Sequence, residues 1–104
     1  MKVVSIESIP GEEIIEVLGI VKGEMIQSKH LGRDFMAGMK TIVGGELKGY
    51  TEMMREAREK ATKRMIEEAD NLGADAIVGV RYSSSTIVQG AAEILAYGTA
   101  VKLK

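Results

Sequence analysis

Few side chains in this sequence are equipped for metal or nucleophilic chemistry. The chain of 104 residues has no cysteine and a single histidine, His30. Thiolate metal sites, disulfide bonds and thiol catalysis are therefore excluded, and so is any site that requires two imidazoles from one chain. The groups that remain are carboxylates, methionine thioethers, serine hydroxyls and glycine-rich turns.

Methionine thioethers can bind copper(I), and several methionines lie in the middle of the chain. They occur at helical spacing among Leu, Ala and Phe residues, and methionine commonly fills irregular gaps in protein interiors. We therefore interpret these residues as part of the core: Met36, Met39, Met53, Met54 and Met65.

Three consecutive serines, Ser83, Ser84 and Ser85, could include a nucleophile. No histidine lies near them in the sequence and no nucleophile-elbow motif surrounds them, so we interpret them as a polar turn.

Gly44-Gly45, ahead of a predicted long helix, could present backbone N–H groups to an anion. Without the lysine and hydroxyl residue of a phosphate-binding loop, this pair is typical of a turn between helices.

The hydrophobic pattern predicts a long strand in the first third of the chain. Within the stretch from Ile14 to Ser28, the odd positions from Ile15 to Met25 are apolar or small, which is the period of an extended strand. Gly19 and Gly23 mark places where this strand can bulge or let another backbone approach closely.

Two helices are predicted to follow. Apolar residues at steps of four, four and three predict a short helix from Leu31 to Ile42, ended by Gly44-Gly45. An apolar stripe held for about six turns predicts a second helix between Gly49 and Gly73. Alanines on this stripe would let the helix sit close to a sheet.

The last third of the chain reads as strands. Ala76 to Tyr82 and Ala91 to Leu103 are rich in Val, Ile, Tyr and small residues, and Ser83 to Gly90 is the expected connection. The order β-α-α-β-β predicts an α+β fold in a single domain over residues 1–104, with a small mixed sheet and the helices on one face. The first two strands can lie parallel, and the last two can form an antiparallel pair.

One face of this sheet has no predicted cover. Side chains at alternate positions of the final strand point to opposite faces, and neither set is clearly polar. In the first long strand, Leu18, Ile20 and Ile26 lie on the face opposite to that of the odd-numbered residues. Apolar area left in water costs about 25 cal/mol per Å², a large penalty for a domain with about 5 to 15 kcal/mol of stability. We therefore expect other copies of the chain to cover this face in a homo-oligomer of cyclic symmetry.

Composition argues against other classes of partner. Lys and Arg number 14 and Asp and Glu 15, which leaves a net charge of -1, so the basic surface of a nucleic-acid-binding protein is not expected. The uncharged run from Tyr82 to Ala92 is far shorter than the roughly 20 residues of a membrane helix, so no membrane association is expected either. The N-terminus has no signal-peptide pattern, and the expected location is the cytoplasm.

Five short motifs follow one another along nearly the whole chain: Gly19-Ile20-Val21-Lys22-Gly23-Glu24, Arg33-Asp34-Phe35-Met36-Ala37-Gly38, Ile42-Val43-Gly44-Gly45, Leu72-Gly73-Ala74-Asp75-Ala76-Ile77-Val78-Gly79-Val80 and Gly98-Thr99-Ala100-Val101. Together they resemble the YbjQ-like family of small uncharacterised proteins, which carry a heavy-metal-binding label. The resemblance implies a compact dodecin-like α+β subunit that assembles into a ring, with a pentamer as the expected assembly. It implies no established activity.

The family-like motifs contain the acidic residues Glu24, Asp34 and Asp75. Together with His30 they could form an oxygen-rich site for a hard or borderline divalent cation. Structural roles stay open for the same residues. Asp34 could cap a helix, Asp75 could sit at a helix-to-strand turn, and Glu24 could form an ion pair with Arg33 or with a neighbouring subunit.

Our leading functional hypothesis is a non-enzymatic homo-oligomer that binds a metal or small ligand at subunit boundaries through Glu24, Arg33 and Asp34. An alternative is a carrier of a planar, flavin-like molecule, which rests on fold analogy alone. Three tyrosines could stack on such a ligand: Tyr50, Tyr82 and Tyr97. An enzyme is the third hypothesis, and a structural or partner-docking role follows if neither metal nor flavin binds.

Overall fold

The computed structural model describes residues 1–28, 42–43, 46–88 and 91–104. Its elements, in chain order, are β1 (Lys2–Val3), β2 (Ile14–Ser28), β3 (Ile42–Val43), β4 (Glu46–Leu47), α1 (Lys48–Asn71), β5 (Ala76–Val88) and β6 (Ala91–Leu103). The predicted long strand, the long helix and the final strand are confirmed.

The main sheet has four strands in the order β1-β5-β6-β2. β6 runs antiparallel to both of its neighbours, and β1 runs parallel to β5. Consequently β2 and β5 are parallel to each other, as predicted, but they are not adjacent. The final strand folds back from β5 and occupies the position between them.

Helix α1 packs on one face of the sheet, mainly over β2 and β6. Its buried stripe is fully excluded from solvent and contacts Val21, Ile77, Ile94 and Ala96 of the sheet. The stripe consists of Ala57, Ala61, Met65 and Ala69. Small side chains on this stripe let the helix backbone approach the sheet, which confirms the role predicted for the alanines.

The helix ends where the sequence predicts. Gly73 has a φ of +77°, the left-handed conformation that glycine adopts readily. The Gly73 amide donates to the carbonyl of Asp70 at 2.9 Å, and the Ala74 amide donates to that of Ala69 at 3.0 Å. These bonds satisfy carbonyls in the last turn and direct the chain into β5.

The N-terminal segment covers part of the other face. Ile9 packs with Ala76, Val78 and Val101 in a second, smaller core. The segment is held by backbone hydrogen bonds, among them Gly79 N–H to the carbonyl of Ile6 at 2.9 Å. This cover reaches only the end of the sheet where β6 finishes.

Two sequence predictions are wrong. Ile42 belongs to a strand and not to a helix, because β3 pairs antiparallel with β4, with Ile42 opposite Leu47. The rest of the predicted helix from Leu31 lies outside the described residues.

The serine run is also not a turn. Ser83, Ser84 and Ser85 lie inside β5 and pair with Leu95, Ile94 and Glu93 of β6. Serine has no strong strand preference of its own, so these residues are extended because they pair with β6. The local sequence around the serines does not show this pairing.

Candidate functional site

Beyond the N-terminal segment, the face of the sheet opposite α1 is uncovered in the described part of the chain. We call this surface the open face: Ile20, Lys22, Glu24 and Ile26 of β2, Glu93, Leu95 and Tyr97 of β6, and Arg81, Ser83 and Ser85 of β5. Ile20 is 75% exposed and Ile26 is 54% exposed. These values are far above those of aliphatic residues in a protein core, so the open face contains the exposed apolar surface that the sequence predicts.

A β-bulge determines which side chains of β2 reach the open face. The pairing with β6 shifts between Val17 and Gly19, and Gly19 has a φ of +128°, which side-chain-bearing residues rarely adopt. After the bulge, Val21 and Gly23 point toward α1. The alternate residues, including Glu24, therefore point away from the helix.

Glu24 lies on the open face in β2, the outermost strand of the sheet. Its carboxylate is 4.0 Å from the ammonium group of Lys22, and its side chain is about half exposed. Its backbone carbonyl accepts a hydrogen bond from the guanidinium group of Arg64 on α1. The backbone at Glu24 is thus fixed to the helix, while the carboxylate is free to meet a cation from solvent or from another molecule.

Asp75 occupies a different place. It lies at the turn from α1 to β5, where its carboxylate accepts the Leu103 amide at 2.9 Å and is 3.8 Å from the ammonium group of Lys102. This is the structural role that the sequence left open for Asp75. Its carboxylate already fixes the start of one strand against the end of another.

Glu24 and Asp75 are far apart within one chain. Glu24 is opposite Leu95, whereas the carboxylate of Asp75 binds the amide of Leu103 on the same strand. At about 3.3 Å per residue, this separation along β6 corresponds to about 26 Å. His30, Arg33 and Asp34 lie outside the described residues, and within the described ranges no group of three or more metal-ligating side chains comes together.

Two of the three candidate tyrosines lie on opposite faces of the sheet. Tyr82 is opposite Ala96 and faces the helix side, whereas Tyr97 belongs to the open face. They cannot stack on one ligand within a single chain. Tyr50 is in the first turn of α1, and its side chain is outside the described part of the structure.

Tyr82 lines a groove of about 730 Å³ between α1 and β5, which we call the α1–β5 groove. The Tyr82 and Thr62 hydroxyls are 2.8 Å apart, and the Thr62 hydroxyl also donates to the carbonyl of Arg58. Ile66 adds an apolar wall, and the charges of the lining balance, with Arg55, Arg58 and Lys63 against Glu59, Glu67 and Asp70. The groove exists because α1 packs over β2 and β6 and leaves this part of β5 bare.

Sequence reasoning missed Arg81. One guanidinium nitrogen donates to the carbonyls of Ser5 at 2.7 Å and Val80 at 2.9 Å, and the other is 3.8 Å from the Glu7 carboxylate. Arg81 therefore ties the N-terminal segment to β5. An isolated arginine in a strand gives no signal of such contacts, because Ser5 and Glu7 lie more than 70 residues away in the chain.

No helix in the described ranges is both long enough and apolar enough to cross a membrane. α1 is long, but charged residues occupy most of its surface positions.

The whole chain, residues 1–104, matches a protein-family model, YbjQ_1, with the description "Putative heavy-metal-binding". It is 65% identical over 97 residues to a UPF0145 protein of Vibrio campbellii, with 93% of each chain covered. It is 62% identical to a UPF0145 protein of Thermosipho africanus, with 100% of this chain and 96% of the relative covered.

A solved structure shares the fold. This is the crystal structure of a protein of unknown function from Pediococcus pentosaceus, which belongs to the DUF74 family. The TM-score is 0.68 at 17% identity, and the alignment covers 100% of this chain and 98% of the other.

Proposed function

Because the chain belongs to the YbjQ family of uncharacterised proteins, we propose that it is a non-enzymatic homo-oligomer that binds a divalent metal ion or another small ligand at the boundaries between subunits. The observation that carries this proposal is the open face, where a carboxylate stands among exposed aliphatic side chains.

The aliphatic part of the open face favours association. Ile20 and Ile26 expose most of their surface, and burial of such a side chain contributes roughly 1.5 to 3 kcal/mol. Several subunits, each contributing the same patch, could remove it from water in a closed ring. The family resemblance supports a dodecin-like ring, and we propose a pentamer as its size.

Glu24 supplies the chemical part of the proposal. A carboxylate buried at a subunit boundary needs a cation or several hydrogen-bond donors, since an unpaired buried charge is strongly destabilising. Lys22 is 4.0 Å away, which is too long for a close hydrogen-bonded pair. A divalent cation or the guanidinium group of Arg33 would meet this need, and the predicted ligands His30 and Asp34 follow closely after the end of β2 in the sequence.

Isothermal calorimetry with zinc and nickel tests the ligand. We expect heat of binding in the parent protein, lost in the Glu24→Gln and Asp34→Asn variants. Glu16→Gln is the matched control, because Glu16 is exposed on the same strand, and it should bind as the parent does. Asp75→Asn should also bind, given its distance from Glu24. Equal heats in the Glu24→Gln variant and the parent would remove Glu24 from the site.

A second candidate function is the binding of a planar organic molecule in the α1–β5 groove. Its volume of about 730 Å³ lies within the range of small-molecule sites, roughly 300 to 1,000 Å³, and Tyr82 offers a half-exposed ring. Titration with riboflavin, followed by fluorescence quenching, tests it: binding should be saturable and lost in Tyr82→Ala but kept in Tyr97→Ala. If neither metal nor flavin binds, a structural or partner-docking role remains.

A further inference from the structure

Tyr82 is held in the α1–β5 groove by a hydrogen bond whose direction can be assigned. The Thr62 hydroxyl donates its single proton to the carbonyl of Arg58 at 2.7 Å. In the contact of 2.8 Å between the two hydroxyls, Tyr82 is therefore the donor and Thr62 the acceptor. Tyr82 is opposite the small Ala96 and is half exposed. Its hydroxyl thus fixes the ring against the helix, while part of the ring surface stays open to a ligand.

The two ends of this groove carry opposite charges. Arg55 and Arg58 precede Thr62 on α1, and Glu67 and Asp70 follow it. At about 1.5 Å per residue, Arg58 is about 6 Å from Thr62 along the helix axis, and Glu67 is about 8 Å from it in the other direction. The groove therefore has a basic end and an acidic end, and the fixed tyrosine ring lies between them.

The charges at the two ends are not neutralised within the described part of the chain. The ion pairs formed there join other side chains. Between the ends, Glu59 and Lys63 lie one helical turn apart and have opposite charges, so the middle of the groove has no net charge. A ligand in the groove therefore meets positive charge at one end and negative charge at the other.

This arrangement selects for the chemistry of the ligand. Guanidinium groups bind phosphate or carboxylate through several N–H donors. Carboxylates accept hydrogen bonds from N–H groups, and a tyrosine ring stacks with another planar ring. A ligand with the same charge at both ends would be attracted at one end of the groove and repelled at the other.

We propose that the α1–β5 groove binds a planar heteroaromatic ring that carries N–H groups on one side and an anionic substituent, such as a phosphate, on the other. The ring stacks on Tyr82, the anion lies at Arg58, and the N–H groups point toward Glu67. This proposal rests on the second candidate function, the binding of a planar molecule in this groove, and specifies the chemical class of that molecule.

Riboflavin and riboflavin 5′-phosphate test the proposal, because they share a ring with an N–H group and differ only in the phosphate. Each is titrated into the full-length protein and followed by fluorescence quenching. The dissociation constant of the phosphate ester should be roughly three- to tenfold lower, as expected for one or two exposed ion pairs. High salt should reduce this preference, since both arginines are exposed.

Arg58→Gln should raise the dissociation constant of the phosphate ester toward that of riboflavin. Lys60→Gln is the matched control: Lys60 is exposed on α1 and does not line the groove, so the variant should keep the preference. Tyr82→Ala should abolish the binding of both compounds. Thr62→Val, which removes the acceptor of the Tyr82 hydroxyl, should weaken both alike.

Equal affinities for the two compounds in the parent protein would overturn the proposed class but leave the groove as a site for planar molecules. A preference that persists in Arg58→Gln would overturn the position of the anion. Binding of the phosphate ester in Tyr82→Ala would place it outside the groove and overturn the proposal. No quenching by either compound would overturn both the proposal and the candidate function, which is the result expected if another copy of the chain covers the groove.

Discussion

Gly23 of β2 lies directly against the backbone of Ala61 in α1. A β-carbon at Gly23 would overlap the Ala61 carbonyl oxygen and stand 2.5 Å from the backbone nitrogen of Met65. No side chain separates strand and helix at this point. The position of α1, and with it the orientation of Glu24 on the opposite face, therefore depends on the absence of one methyl group.

Gly23→Ala should destabilise the fold by about 3 kcal/mol or more, the upper range for overpacked cores. The cost is high because the obstructing atoms belong to the helix backbone and cannot rotate away. Urea denaturation of the variant and the parent measures the difference in free energy of unfolding. The neighbouring Lys22→Ala, whose side chain is exposed, should change it by less than about 0.5 kcal/mol. Similar stabilities for Gly23→Ala and the parent would contradict the close packing described here.

Met65→Ala should cost about 2 to 5 kcal/mol, because Met65 is fully buried between α1 and the sheet and its removal leaves a cavity. Leu72→Ala is the matched control, since Leu72 is 48% exposed at the end of the helix. It should cost much less. Equal losses of stability for the two variants, measured by thermal or urea unfolding, would argue against the assignment of Met65 to the core.

Asp75→Ala should lower stability by about 1 kcal/mol, since it leaves the Leu103 amide without its acceptor. Asp75→Asn keeps a carbonyl acceptor and should lose less. Amide hydrogen exchange at Leu103 reports the bond directly: it should accelerate in Asp75→Ala more than in Asp75→Asn. Unchanged exchange in both variants would show that this carboxylate does not hold the end of β6.

The main elements could be predicted from single segments because their patterns are local. Period-two alternation identified β2 over its full length, and the apolar stripe identified α1 to within two residues of its ends. The sequence predicts either a bulge or a close backbone approach at Gly23, and the structure shows the close approach. These features depend on residues near in sequence and on the strict periods of strand and helix.

Other features depend on partners distant in the chain. Ser83, Ser84 and Ser85 are extended only because β6 pairs with them. The position of β6 between β2 and β5 depends on the order of the strands in the sheet, which no single segment of the sequence determines. The candidate ligand set shows the same limit. Glu24 and Asp75 were associated because both lie in family-like motifs, but Glu24 is opposite Leu95 and Asp75 binds the amide of Leu103, eight residues further along β6.

The mass of the protein in solution tests the central proposal, which is that copies of this chain associate through the exposed part of the sheet. Light scattering at micromolar concentration should give a mass of two or more times 11.2 kDa. Ile20→Asp should lower this mass, because a charge at the most exposed isoleucine of the open face opposes burial. A stable particle of 11.2 kDa in the parent protein would contradict the proposal.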